Sequence, residues 1–240
     1  MSRLIVGIAL VVGLWFPMAE WGLYLDDNPP ALYVLVFPLL LLIASRATPP
    51  TEPAFGEGLA WLALAGGLQV IAFAGGVERF ARLSIPLGVI GYLRFTGTSS
   101  LAPASLAWFA VPVPVFATTM FPLESVWRAF AEPILAGHAT SFELTPWDNG
   151  LRLVALFAGL GWYADARTSR SWRSALQRSA RLAMLGLPVQ LGGVLLAALM
   201  SRLGGVELAR VFLTHGLWIG CSVAGVVFIE RRIRSEGSPA

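Results

Sequence analysis

The residues of this chain whose types suit chemistry are few, and most of them fall in its last hundred positions. Asp148 and Arg152, within Trp147-Asp148-Asn149-Gly150-Leu151-Arg152, stand four residues apart at the start of an apolar segment. On a helix that spacing puts both side chains on one face. An N-terminal cap and a snorkelling arginine would account for the pair without any function. Ionisable groups at the lip of a membrane helix are costly, however, and point to a working site. His215 lies in the final apolar segment, and Gln190, beside Gly192-Gly193, in the one before it. At the rise of a helix, His215 would sit roughly 10–12 Å below the membrane surface, with Gln190 at a comparable or greater depth. A lone histidine in a packed helix is usually a core residue, but an unpaired imidazole at that depth is expensive. Asp148, Arg152 and His215 are therefore expected to line one outward-opening cavity.

Other chemistries are missing from the sequence. There is no His-Glu-x-x-His for zinc and no Gly-x-Ser-x-Gly nucleophile. No second intramembrane aspartate accompanies Asp148 as a carboxylate pair would require. No glycine-rich phosphate loop precedes a helix. The single cysteine, Cys221, excludes a disulfide framework and any multi-cysteine metal site. It follows His215 by a spacing that turns the two about 240° apart, which suits a small core residue. No cofactor and no metal are expected.

The elements that must position these residues are apolar helices. Of 240 residues, 56% are hydrophobic and only 13% charged, about half the charge of an ordinary soluble domain. Continuous apolar runs near membrane-spanning length predict an all-α, polytopic membrane protein rather than a barrel. The net charge of +3 comes from arginines clustered between apolar runs, so nucleic acid is not an expected partner and the lipid bilayer is. Residues 1–16 lack a convincing cleavage site and read as part of a first span.

About eight spans are expected, near 4–24, 31–45, 58–76, 83–93, 101–121, 149–164, 182–200 and 208–229. The fourth is interrupted by Pro86, and the fifth should bend at Val111-Pro112-Val113-Pro114. Residues 46–57 read as a linker and Glu78–Arg82 as a turn. Residues 122–137 carry Leu123, Val126, Trp127, Phe130 and Ile134 at helical spacing among charges, the pattern of an amphipathic helix on the membrane surface. The densest basic cluster, Arg167 to Arg181, reads as a loop. With both termini inside, Arg46, Arg94, that cluster and Arg231–Arg234 all fall on the cytoplasmic side, while Asp26, Asp27, Glu124, Glu132, Glu143 and Asp148 lie outside. The chain thus reads as a single integral membrane domain, 1–240, with two spans and a linker in 1–57.

Residues 58–240 resemble the exosortase/archaeosortase family of membrane transpeptidases, which process C-terminal sorting signals. That family carries Cys-Ser-Gly-Leu-Arg at the outer end of one span, Asn-x-x-Arg in the next and His in the last. Here Gly150-Leu151-Arg152 and His215 match. Asp148 stands at the catalytic cysteine position, and Gln190-Leu191-Gly192-Gly193 puts Gly193 at the second arginine position. The resemblance implies an inner-membrane protein of cell-envelope sorting, with its site facing the periplasm. It also implies partner proteins that end in a transmembrane helix and an arginine-rich tail. Catalytic positions would be Asp148, Arg152 and His215, with Gln190 and Gly193 binding substrate. A carboxylate attacking an amide would give a reactive anhydride, so the family's thiol mechanism is closed to this chain. Asp148, ionised beside Arg152, would instead serve as general base for water with His215 as acid, or the chemistry is lost. The rival readings are a non-catalytic adaptor that binds substrate C-terminal helices, and a small transporter. No internal repeat favours the transporter.

Overall fold

The computed structural model describes residues 2–27, 29–111, 129–130, 132–133, 150–168 and 171–237. All regular structure among them is helical. In chain order the α-helices are α1 (Ser2–Gly13), α2 (Trp15–Asp27), α3 (Val36–Ala47), α4 (Phe55–Gly75), α5 (Glu78–Thr96) and α6 (Leu101–Ala104). Farther along the chain come α7 (Leu151–Arg167), α8 (Trp172–Ala183), α9 (Gly186–Gly204), α10 (Val206–Val211) and α11 (Leu217–Gly237). Short 3-10 segments cover Pro29–Leu35 and Ser105–Ala110, and a π-helical turn, Phe212–Gly216, joins α10 to α11.

Among the described residues, three helical runs are long and apolar enough to cross a membrane: α4, Trp172–Leu203 and Val206–Ser235. The bent pair α1–α2 makes a fourth if it counts as one span. Its two arms meet at 52°. Pro17 explains the bend, because it offers no N–H to the Gly13 carbonyl and its ring crowds that carbonyl. The second expected span is a 3-10 segment followed by α3, with Pro38 tolerated in the first turn of the helix. The expected turn at Glu78–Arg82 is instead the beginning of α5, which runs unbroken through Pro86. The guanidinium of Arg82 there lies 4.3 Å from the centre of the Tyr24 ring, a cation–π contact that gives the charge a partner beside the apolar stretch that follows. Likewise the expected basic loop is largely helix α8. Ser171 caps it, its Oγ accepting from the Ser174 N–H at 3.3 Å, and the Ala, Leu, Gln and Arg that follow are good helix formers. The expected surface helix over 122–137 lies outside the described residues, apart from four positions.

The chain divides into two compact units, Met1–Pro112 with Trp162–Ala175, and Val113–Gly161 with Leu176–Ala240. The first is centred on the α4–α5 hairpin. A methyl group at Gly58 would stand 2.6 Å from Phe95 N, and one at Gly91 2.8 Å from Leu62 Cγ, so only glycine lets these backbones approach so closely. The linker is pinned to the same hairpin: Thr51 N donates to Gly97 O at 3.1 Å and Ala54 N to Arg94 O at 3.0 Å. Gly97, at φ +66°, ends α5 in a left-handed turn, with Thr98 N reaching back to Leu93 O at 3.0 Å. Arg94 completes the clasp, Nη2 donating to Glu57 Oε2 at 2.7 Å. Elsewhere in this unit Trp162 Nε1 donates to Ala102 O at 2.7 Å. Asp165 is fully buried nearby in sequence.

The second unit is built on the antiparallel α9 and α10–α11 runs. Val194, Ala197, Ala198, Ala209 and Leu213 form its core, with Leu187, Met200 and Phe212 packed around them. The early part of α7 joins through a stripe of Leu153, Leu156 and Leu160, all buried, at the spacing of one helix face. Close backbone contacts set its position. A methyl at Gly161 would lie 2.8 Å from the α-carbon of Ser179, and one at Gly186 2.6 Å from that of Val154. Ser179 Oγ also donates to Ala158 O at 2.7 Å.

Candidate functional site

The residues that the sequence singles out and the structure describes all belong to the second unit. Gly150, at φ +80°, turns the chain into α7, where a glycine is favoured because other side chains rarely adopt that conformation. A methyl there would stand 3.0 Å from Leu187 and 3.3 Å from Gln190 Cβ, so the head of α7 abuts the first turns of α9. Gln190 is 1% exposed. From Gln190 to its end, α9 runs on for about 20 Å, so the start of α7 is set well back from the α9–α10 turn.

Arg152 is the second residue of α7 and 4% exposed. Its Nη1 donates to Thr214 O at 3.0 Å and its Nη2 to Leu213 O at 3.0 Å. Those carbonyls belong to the π turn that carries His215. A π turn widens the helix and disturbs the regular i to i−4 ladder, and hydrogen bonds from a charged donor are stronger than neutral ones. Trp218 Nε1 adds a second donor to Thr214 O at 3.0 Å. Arg152 thus fixes the turn by its backbone, from a helix 61 residues earlier in sequence. His215 itself is half-buried and makes no hydrogen bond among the described residues.

No protein-family model, curated protein or solved structure matches this chain. The functional reading therefore rests on the geometry and on the residue pattern.

Gly193 has a packing reason of its own. A side chain at this position would run into Leu217 Cδ2, so α9 and α11 cross here on a glycine. An arginine at 193 would require Leu217 to swing away. The structure thus joins Arg152 to the His215 turn, sets Gln190 against Gly150, and seats Gly193 under Leu217. Asp148 and Asn149 lie outside the described residues. Cys221 is half-buried in α11.

The sequence reading passed over two buried or half-buried ionisable features. Asp165, just past the expected 149–164 span, is fully buried. Arg94 and Glu57 are 37 residues apart, and no local spacing connects them. A charge-balance argument, asking which acid answers an arginine inside an apolar hairpin, would have found that pair.

Proposed function

We propose that this chain is an exosortase-like protein of a bacterial inner membrane that receives the C-terminal helix and arginine-rich tail of proteins sorted to the cell envelope. In this reading it has about eight spans, cytoplasmic termini and a site open to the periplasm. The observation that carries the proposal is the hold of Arg152 on the Leu213 and Thr214 carbonyls. It ties the Gly150-Leu151-Arg152 element to the turn bearing His215, in the order the family resemblance requires.

The proposed roles are as follows. Arg152 is a positioning residue: two of its donors are spent on backbone, and its effect on a substrate passes through the π turn. His215, on that turn and half-buried, is the group that handles a proton. Asp148 is the candidate base for water. With Gly193 under Leu217 in place of an arginine, an obvious stabiliser of developing oxyanion charge is missing. That favours holding a substrate over cleaving it, so the adaptor reading is the second one retained.

The test compares the sizes of membrane proteins carrying such tails in cells with the protein, without it, and with Asp148→Ala or His215→Ala. A shortened product that needs the protein and both residues supports a peptidase with an unusual centre. Unchanged size with tails co-purifying supports the adaptor. Tails that neither shorten nor co-purify sink the sorting proposal altogether.

A further inference from the structure

The second unit has one strongly basic end, and the sequence pattern alone does not bring its parts together. Residues 182–201 of the α8–α9 run contain no Asp, Glu or Arg, and neither do residues 211–229 of the α10–α11 run. Each stretch is about 30 Å of helix, the thickness of a bilayer core. Gly193 packs on Leu217, near the middle of the first stretch and in the first half of the second. Because the two runs are antiparallel, Arg181 and the Arg231–Arg234 segment emerge at the same end. α7 gives an independent check: its neighbours Leu160 and Gly161 lie against Gly225 and against Ser179 respectively.

Arg181, Arg231 and Arg234 at this end are exposed and have no ion pair among the described residues. On the membrane side of them stand exposed apolar side chains, with Met184 76% and Phe228 65% accessible. Guanidinium groups beside exposed apolar side chains match a phosphate headgroup above its acyl chains. A neutral lipid would satisfy the apolar part, but only an anionic one adds net negative charge at an end where Arg181, Arg231 and Arg234 outnumber Glu230 and Glu236.

We infer that the Arg181/Arg231/Arg234 end of the second unit is a binding surface for anionic phospholipid headgroups. The inference rests on the membrane reading of the fold and is independent of any sorting activity. It predicts that lipid selectivity resides at this end and not at the opposite one, where Arg202 and Arg210 flank the same apolar stretches.

The test uses the full chain reconstituted in vesicles of phosphatidylcholine with a minority of phosphatidylglycerol, followed by gentle extraction and quantification of the lipid retained. The wild type should enrich phosphatidylglycerol over the bulk composition, by up to roughly fivefold for each exposed arginine, and lose most of that enrichment in high salt. Arg181→Gln with Arg231→Gln and Arg234→Gln should bring the ratio back to bulk, whereas Arg202→Gln with Arg210→Gln should leave it unchanged. The control pair separates loss of selectivity from loss of fold, since both variants remove charge from the same two runs. Retained lipid at the bulk ratio around the wild type, or equal enrichment in the triple variant, overturns the inference while leaving the membrane reading intact. Release of the protein from membranes by alkaline carbonate would overturn both.

Discussion

Arg94 in the first unit and Arg152 in the second are both arginines drawn into apolar helices, and their described partners differ in kind. Arg94 meets a carboxylate, Glu57, through two of its nitrogens, with Nη1 also 3.4 Å from Ser99 O. Arg152 meets two consecutive backbone carbonyls in a π turn. A side-chain pair clasps two helix ends and is indifferent to what the backbone does between them. A guanidinium on carbonyls dictates the local path of the backbone and hence where the next side chain, His215, projects. The first arrangement is a fastening. The second shapes a site.

That contrast is broken most directly at Arg152. Arg152→Ala removes two charge-assisted hydrogen bonds and leaves Leu213 O without the donor it now has. A loss of about 3 kcal/mol is expected, read as a lower unfolding midpoint of the purified protein in detergent. Arg152→Lys should recover only part of it, since an ammonium cannot span both carbonyls as a fork does. Faster amide exchange confined to 212–217 would mark the loss as one of turn shape. A uniform loss across both units would make Arg152 an ordinary packing residue and erase the difference from Arg94.

The backbone contacts that hold the site come next in size. Gly186→Ala places a methyl 2.6 Å from Val154 Cα, where nothing flexible can yield. Separation of α7 from α9 should cost about 1–3 kcal/mol and slacken the hold of Arg152 on the π turn as well. The two substitutions should therefore be non-additive when combined. Strict additivity would mean that the helix contact and the arginine act separately.

At the fastening, Arg94→Gln and Glu57→Gln combined in a double-mutant cycle should show a coupling of about 1 kcal/mol or less. The Glu57 side chain is 36% exposed, and solvent and salt weaken such pairs. The coupling should shrink as salt is added. A coupling as large as the Arg152 effect and insensitive to salt would show that Arg94 is the more deeply committed of the two.

What could be read from the sequence divides along the same line. The apolar runs announce helices, because every backbone polar group must be satisfied within its own segment in lipid. α4 accordingly lies close to the expected 58–76. The break at Pro17 and the continuity of α5 through Pro86 both turn on where a proline falls in a helix. In the first turn it starts a new arm, and farther in it can be carried by the surrounding packing. The length of α8 was hidden by its arginines, which suggested a loop although its propensities are helical. At the site, the chain order of Gly150, Arg152, Gln190 and His215 was legible and the π turn was not. Nothing in Phe212-Leu213-Thr214-His215-Gly216 specifies a widened turn until a donor from another helix is there to meet its carbonyls.

Gly193 gives the smallest expected effect and the finest test of the site. A methyl there meets only the far end of the Leu217 side chain, which can change rotamer. Gly193→Ala should therefore cost about 1 kcal/mol or less, well below Gly186→Ala, whose obstacle is backbone. Gly193→Arg extends the comparison, since it restores the residue type that the family resemblance places there. If Leu217 can move aside, the guanidinium enters the region between α9 and the π turn and adds a positive charge beside the backbone already held by Arg152. An oxyanion stabiliser is then available, and any peptidase activity seen with sorted tails should rise rather than fall. If the variant instead loses stability on the scale of Gly186→Ala, position 193 is closed by packing, and the glycine is there for the helix crossing alone.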